Sequence, residues 1–217
     1  MTIELFAHPF SSYSQKALIA FYENDIAFKY RMMEDPGVAE ELAALWPIAK
    51  FPIIRDDGRV IMEATVIIEY LHARYPGRVR LIPEDAERAV EVRMLDRFFD
   101  NYVMTPQGKF VFDALRKPAD RDPFGVEEAR TMLETSYAWL DRWMDGRTWA
   151  VGDTFSMADC AAAPSLFYAD WTHPIGDQHV HLKAYRARLL ERPSFARAVD
   201  DARPYRHYFP LGAPDRD

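Results

Sequence analysis

Strand-like and helix-like stretches alternate in this chain only as far as Gly77; beyond Leu81 every periodic stretch reads as helix. That single change of character predicts two domains. Residues 3–7 read as a short buried strand, broken by His8-Pro9-Phe10-Ser11-Ser12. Residues 13–24 carry Ala17, Leu18, Phe21 and Tyr22 at helical spacing. Residues 27–32 read as a second strand, and residues 36–45 as a short helix opened by Pro36. Residues 51–55 read as a third strand. Asp57-Gly58 is a strong two-residue hairpin signal, so residues 59–62 are expected to return antiparallel. Residues 64–75 form a helix whose stripe is Val66, Ile67, Tyr70 and Leu71, stopped by Pro76-Gly77.

The expected division is residues 1–78, a linker at 79–85, and an all-helical part over 86–217. In the second part, residues 86–115, 124–144, 156–171, 179–190 and 193–203 read as helices, and residues 210–217 as a loose tail. The order β-α-β-α-β-β-α of the first part is the thioredoxin arrangement.

Composition narrows the function. The chain has 217 residues, 49% of them hydrophobic, enough for a core without disulfides or metals. Its formal net charge of -7 argues against a general nucleic-acid or acidic-membrane binder. The one cysteine, Cys160, forms no internal disulfide and no zinc cluster. The six histidines have no metal spacing, and His173, His179 and His181 read as surface or packing residues. A reducing cytoplasmic setting is expected. The opening Met1-Thr2-Ile3-Glu4-Leu5 lacks the basic start and apolar run of a leader. No apolar run approaches the ~18 residues of a membrane span.

Three motifs then carry a resemblance. Phe10-Ser11-Ser12-Tyr13-Ser14-Gln15-Lys16 follows the first strand and resembles the glutaredoxin loop, with Ser11 and Ser14 in the cysteine positions, so dithiol exchange is excluded. Trp46-Pro47-Ile48-Ala49-Lys50-Phe51-Pro52-Ile53-Ile54 resembles Asn-Pro-x-Gly-x-Val-Pro-x-Leu. Glu63-Ala64-Thr65-Val66-Ile67-Ile68-Glu69-Tyr70-Leu71 resembles Glu-Ser-x-x-Ile-x-x-Tyr-Leu. Later, Ser156 and Asp159 have capping-box spacing in a segment, Trp149 to Asp159, that is similar to the one opening a core helix of the same family. The family is that of the cytosolic glutathione transferases, serine-type and bacterial.

The resemblance implies a thioredoxin-like glutathione-binding half, an all-helical half, and a homodimer. It implies a cis proline at Pro52, with Phe51 pairing its backbone to the cysteinyl part of glutathione. It further implies that Glu63 meets the γ-glutamyl ammonium, that the N-H groups from Ala64 onward receive the γ-glutamyl carboxylate, and that Lys50 meets the glycyl carboxylate. Ala64 stands where the family has serine, which removes one hydroxyl donor that backbone N-H groups or Thr65 are expected to replace in part.

Ser11 is the expected catalytic residue, because the family's hydroxyl lies five residues before a basic one, here Lys16. A hydroxyl donor at a helix N-terminus favours the thiolate of glutathione. Ser12, Tyr13 and Ser14 are alternatives, Tyr13 being expected to turn inward, and simple helix capping by Ser11 is the competing reading. The electrophile is expected between the domains, against Phe98, Tyr102, Phe110 and Tyr168, with Met104, Phe112 and Trp171 as further candidates. Asp96 or Asp100 is a candidate to reach a partner subunit's glutathione. No metal is expected. The alternative to an enzyme is a transferase-like binding or regulatory protein. A maleylacetoacetate-type isomerase fits Ser11-Ser12 but expects cysteine where Tyr13 stands.

Overall fold

A computed structural model describes residues 3–217; Met1 and Thr2, part of the opening segment read for a leader, lie outside the described residues. The first part contains β1 (Ile3–Ala7), α1 (Ser12–Glu23), β2 (Phe28–Met32), α2 (Val38–Leu45), β3 (Ile53–Asp56), β4 (Arg59–Met62) and α3 (Ala64–Arg74). The sheet order is β2-β1-β3-β4. β1 and β2 are parallel, while β1/β3 and β3/β4 are antiparallel, with Leu5 opposite both Tyr30 and Ile54. The alternation of β1 sends its side chains to two cores. Ile3, Leu5 and Ala7 join α1 and α3, whereas Phe6 joins Ile53 and the Val38 and Leu42 face of α2. The Asp57-Gly58 turn has φ of 49° and 78°, the two positive values that a tight hairpin demands. This is a thioredoxin-like domain with a mixed four-stranded sheet, and a helical domain follows it.

The helical part comprises α4 (Ala86–Phe98), α5 (Thr105–Ala114), α6 (Pro123–Met144), α7 (Met157–Thr172), α8 (Val180–Glu191) and α9 (Pro193–Ala202). α7 is buried on every side, as its apolar, alanine-rich sequence requires, and packs against α1 of the first domain. The Asp159 carboxylate accepts from the Ala150 N-H at 2.8 Å, the Ser156 N-H at 2.8 Å and the Tyr185 hydroxyl at 2.6 Å. It therefore fixes the turn that leads into the core helix. Cys160 is buried in this helix, and burial pushes its thiol well above the ordinary value.

Four expectations need correction. Pro36 does not open α2; Gly37 does, at φ 79°, a left-handed conformation suited to glycine. The expected helix over 86–115 is broken by a π-helical turn, Phe99–Met104, between α4 and α5. The linker is partly core: Leu81 and Ile82 are buried, and the Leu81 carbonyl accepts the Met157 N-H at 2.8 Å. The tail is not loose. After α9 the chain makes a 3-10 turn (Arg203–Tyr208), Phe209 is buried, Arg216 pairs with Asp170, and Asp217 pairs with Arg203 and Arg206.

Candidate functional site

A cleft of about 700 Å³ opens between the two domains. Its first-domain wall is Phe10, Ser11, Ser12, Tyr13, Ala49, Lys50 and Phe51. Ser11 is the N-cap of α1, with extended φ and ψ, and its Oγ accepts the Ser14 N-H at 3.3 Å. Capping uses one lone pair of the hydroxyl and leaves its proton free to donate. The two roles weighed for Ser11 are thus compatible. Ser14 is fully buried and its Oγ accepts the His8 N-H at 3.3 Å, so it faces away from the cleft. Tyr13 does not turn inward: it is 36% exposed and lines the cavity. Burial of the phenol oxygen, aided by the Asp100 and Glu63 charges, pushes its pKa up to about 12, so it stays protonated at neutral pH.

The loop before α1 is held from the second domain. Gln15 donates through Nε2 to the Pro9 carbonyl at 2.9 Å and to the Tyr168 hydroxyl at 3.0 Å, and that hydroxyl donates to the Phe10 carbonyl at 3.3 Å. Tyr168, expected as a cleft residue, does line it.

The Phe51-Pro52 bond is cis. Pro52 is buried at the start of β3, and Phe51 lies outside that strand. The backbone of Phe51 makes no hydrogen bond among the described residues, and Lys50 beside it is exposed. Glu63 and Ala64 stand beyond the walls of the cavity, at the N-terminus of α3. Glu63 has φ 68°, a left-handed conformation that costs a non-glycine residue energy and clusters at functional sites. Its carboxylate is exposed, makes no ion pair among the described residues, and does not cap α3. Ala64 is buried.

Thr65 does not stand in for the missing serine hydroxyl. Its Oγ1 accepts from Lys16 Nζ at 2.9 Å and from Arg97, and it donates to Asp96 Oδ2 at 2.8 Å. Asp96 and Asp100 are occupied in the same cluster. Lys16, 1% exposed, lies 2.7 Å from each carboxylate. Asp96 is fully buried, so it is closed to a partner subunit. Burial raises the Asp100 carboxyl above its ordinary value, against the pull of Lys16.

The second-domain wall departs most from expectation. Met104, Phe112 and Tyr168 line the cleft, but Phe98, Tyr102 and Phe110 are not among its walls. Phe98 stacks on Trp139 at 4.5 Å and meets Tyr102 at 5.3 Å. Phe110 is buried under the Arg130 guanidinium, 5.3 Å from its ring. Phe98 ends α4 and Tyr102 sits within the π turn, while Phe110 follows it; one extra residue in a helix rotates everything after it by about 100° relative to a continuous α-helix, which bears on Phe110. A further wall that the sequence reading missed comes from Tyr208, Phe209 and Pro210. Trp171 packs behind it, 5.3 Å from the Phe209 ring. No cluster of three or more potential metal ligands occurs among the described residues.

The chain matches the glutathione S-transferase N-terminal domain family over residues 5–79 and the C-terminal domain family over residues 103–193. It is similar to a glutathione S-transferase from Methylobacillus flagellatus KT solved with glutathione bound, at 26% identity, covering 91% of this chain and 98% of that one with a TM-score of 0.82. A second glutathione S-transferase, from Methylobacterium radiotolerans JCM 2831 in complex with glutathione sulfonate, is 26% identical, with 92% and 95% coverage and a TM-score of 0.79. Among curated relatives, a stringent starvation protein A homolog from Coxiella burnetii is 24% identical over 204 residues, 91% of each chain. With both halves matched in order and the cleft lying where they meet, the chain belongs to the glutathione S-transferase family.

Proposed function

We propose that this protein binds glutathione along the first-domain wall, turns its thiol into thiolate at Ser11, and delivers the sulfur to a hydrophobic electrophile in the interdomain cleft. The observation that carries the reading is the Ser11 hydroxyl, seated at the N-terminus of α1 on the cleft wall with its proton unused by the cap. Glutathione's thiol, like free cysteine, has a pKa of about 8.5. A donor hydrogen bond and the helix dipole both favour the anion, and a shift of two units corresponds to about 2.7 kcal/mol. The free Phe51 backbone pairs with the cysteinyl segment. Lys50 takes the glycyl carboxylate and Glu63 the γ-glutamyl ammonium. The N-H groups that begin α3 at Ala64 take the γ-glutamyl carboxylate. The reaction is conjugation by addition to an activated alkene, or displacement of a halide or ether. Its cellular role is detoxification.

The protein acts in the cytoplasm, in keeping with one buried free thiol and a glutathione-rich compartment; no helix among the described residues is long and apolar enough to cross a membrane. It forms a homodimer through α3 and α4, which expose the apolar side chains Val66, Val90 and Met94.

Ser11→Ala tests the reading: glutathione affinity persists while turnover of a generic aromatic halide falls roughly 10²-fold, ~2.7 kcal/mol. Undiminished turnover moves the role to Ser12 or Tyr13. A second reading, a glutathione-binding or regulatory protein with little catalysis, is favoured by Ala64 together with the engaged Thr65 hydroxyl. Tight glutathione binding without turnover of any electrophile selects it.

A further inference from the structure

The stretch between β1 and α1 is His8-Pro9-Phe10-Ser11, and its backbone decides where the Ser11 hydroxyl points. A loop that enters a protein interior must settle its polar backbone groups one by one. The His8 N-H donates to Ser14 Oγ at 3.3 Å, and the His8 carbonyl accepts the Ser11 N-H at 3.0 Å. The Phe10 N-H donates to His8 Nδ1 at 3.1 Å, and the Ser11 carbonyl accepts the Gln15 N-H at 2.9 Å. Pro9 has no N-H to place. The carbonyls that remain, those of Pro9 and Phe10, directly precede Ser11. Neither is reached by a backbone donor among the described residues. Gln15 Nε2 donates to the first at 2.9 Å. The Tyr168 hydroxyl donates to the second at 3.3 Å while accepting from Gln15 Nε2 at 3.0 Å.

Gln15 bears a mark of being kept for this task. Its side chain is fully buried, yet its Oε1 has no hydrogen-bond partner. The amide cannot be turned over to mend this, because the Pro9 carbonyl only accepts. A buried amide with one end unpaired costs stability, and an apolar side chain of the same length avoids that cost. Its partner is well anchored. Tyr168 is buried within α7, the helix enclosed on every side, and its ring meets the Phe10 ring edge-on at 5.6 Å. Burial pushes the phenol pKa up, so the hydroxyl remains a donor at neutral pH.

We infer that Gln15 is a positioning residue for thiol activation, acting with the Tyr168 hydroxyl: together they fix the Pro9 and Phe10 carbonyls so that Ser11 Oγ stays aimed at the glutathione sulfur. The inference rests on Ser11 as the donor to that sulfur. Gln15 is not a wall of the cleft, so it acts through the loop and not by contact with either substrate. Placement matters at such a site, where a displacement of about 1 Å costs up to about 10²-fold in rate.

Gln15→Met keeps the side-chain length and removes both polar amide atoms. It exchanges one unpaired carbonyl, Oε1, for another, that of Pro9, so the melting temperature is expected to stay within about 3 °C. Turnover of a generic aromatic halide is expected to fall about tenfold with KM for glutathione held within about twofold. The pH at which bound glutathione becomes thiolate, followed by thiolate ultraviolet absorbance, is expected to rise by about one unit, the equivalent of tenfold. Tyr168→Phe keeps the ring on the cleft wall and deletes the hydroxyl. It is expected to lower turnover about threefold and shift the titration the same way, with KM for the acceptor unchanged. In a Ser11→Ala background, Gln15→Met is expected to cost nothing further. A thiolate titration that stays put in both variants overturns the inference, as does a full Gln15→Met effect on top of Ser11→Ala. Should Gln15→Met not fold, the titration of Tyr168→Phe decides alone. If Ser11→Ala lowers turnover and these variants do not, the positioning role falls and the reading of Ser11 stands. If Ser11→Ala leaves turnover intact, both fall.

Discussion

The two walls of the cleft are built on different principles. The first-domain wall uses short stretches of chain, each with its own local logic: a strand end and helix cap at Ser11, a cis peptide at Phe51-Pro52, a helix start at Glu63. The second-domain wall uses side chains whose direction is set by helical phase and by a segment after the last helix. A functional group held by local backbone geometry survives large changes elsewhere in the chain. A wall held by phase changes wholesale when one residue is inserted in a helix.

That contrast can be broken most forcefully at Lys16. Its ammonium is the buried link between the two walls, and Lys16→Met leaves Asp96 and Asp100 with only the half-exposed Arg97 between them. The expected loss is about 3–5 kcal/mol, or on the order of 10 °C in calorimetric melting temperature. A loss below ~1 kcal/mol means the cluster is not what holds the walls together.

The phase argument is sharpened by two phenylalanines only two residues apart. Phe110→Ala empties a buried position, costing about 3–5 kcal/mol in urea unfolding while leaving KM for an aromatic acceptor unchanged. Phe112, 62% exposed on the cleft wall, behaves in reverse. Phe112→Ala keeps stability within ~0.5 kcal/mol and lowers kcat/KM for a bulky acceptor roughly fivefold. Similar stability costs at both positions would refute the phase shift.

On the glutathione side, Glu63→Gln is expected to raise KM for glutathione about tenfold, ~1.4 kcal/mol, with kcat nearly kept. A fall in kcat with KM held would place Glu63 in the chemistry instead of in binding.

The smallest effect concerns the loop ahead of Ser11. Burial holds the His8 imidazole below its ordinary value, with Glu34 pulling the other way, and the neutral ring accepts the Phe10 N-H on Nδ1 at 3.1 Å. The unfolded chain takes up a proton near pH 6.5 that the native ring resists. Stability from this group is therefore complete above about pH 6.5 and declines as the pH falls through the native value. His8→Asn should flatten that part of the stability profile measured by urea unfolding between pH 7.5 and 5; an identical profile in the variant removes His8 from the account.

The same contrast explains what the sequence disclosed. Asp57-Gly58, the Pro52 segment, Glu63 and the Ser156 to Asp159 box were legible because each depends on residues close in sequence, where turn and cap chemistry leave few options. Phe98, Tyr102 and Phe110 misled because the sequence over 86–115 reads as one helix of aromatic residues, while the aromatic partners that hold Phe98, and the π turn ahead of Phe110, show only in the folded chain. Asp96 and Asp100 stood as candidates to reach a partner subunit's glutathione because Lys16, which engages both, is eighty residues or more away in the chain and meets them only after folding. Tyr208 and Phe209 were invisible for the same reason: their seats, Glu34 and Trp171, belong to other elements.

Lys16 carries one consequence for any attempt to recombine these proteins. The thioredoxin-like half brings a buried cation whose counter-charges belong to the helical half, so it is not a portable module. A chimera that grafts this half onto the helices of a relative must import both aspartates along with it, or replace the lysine by an apolar side chain at the same crossover.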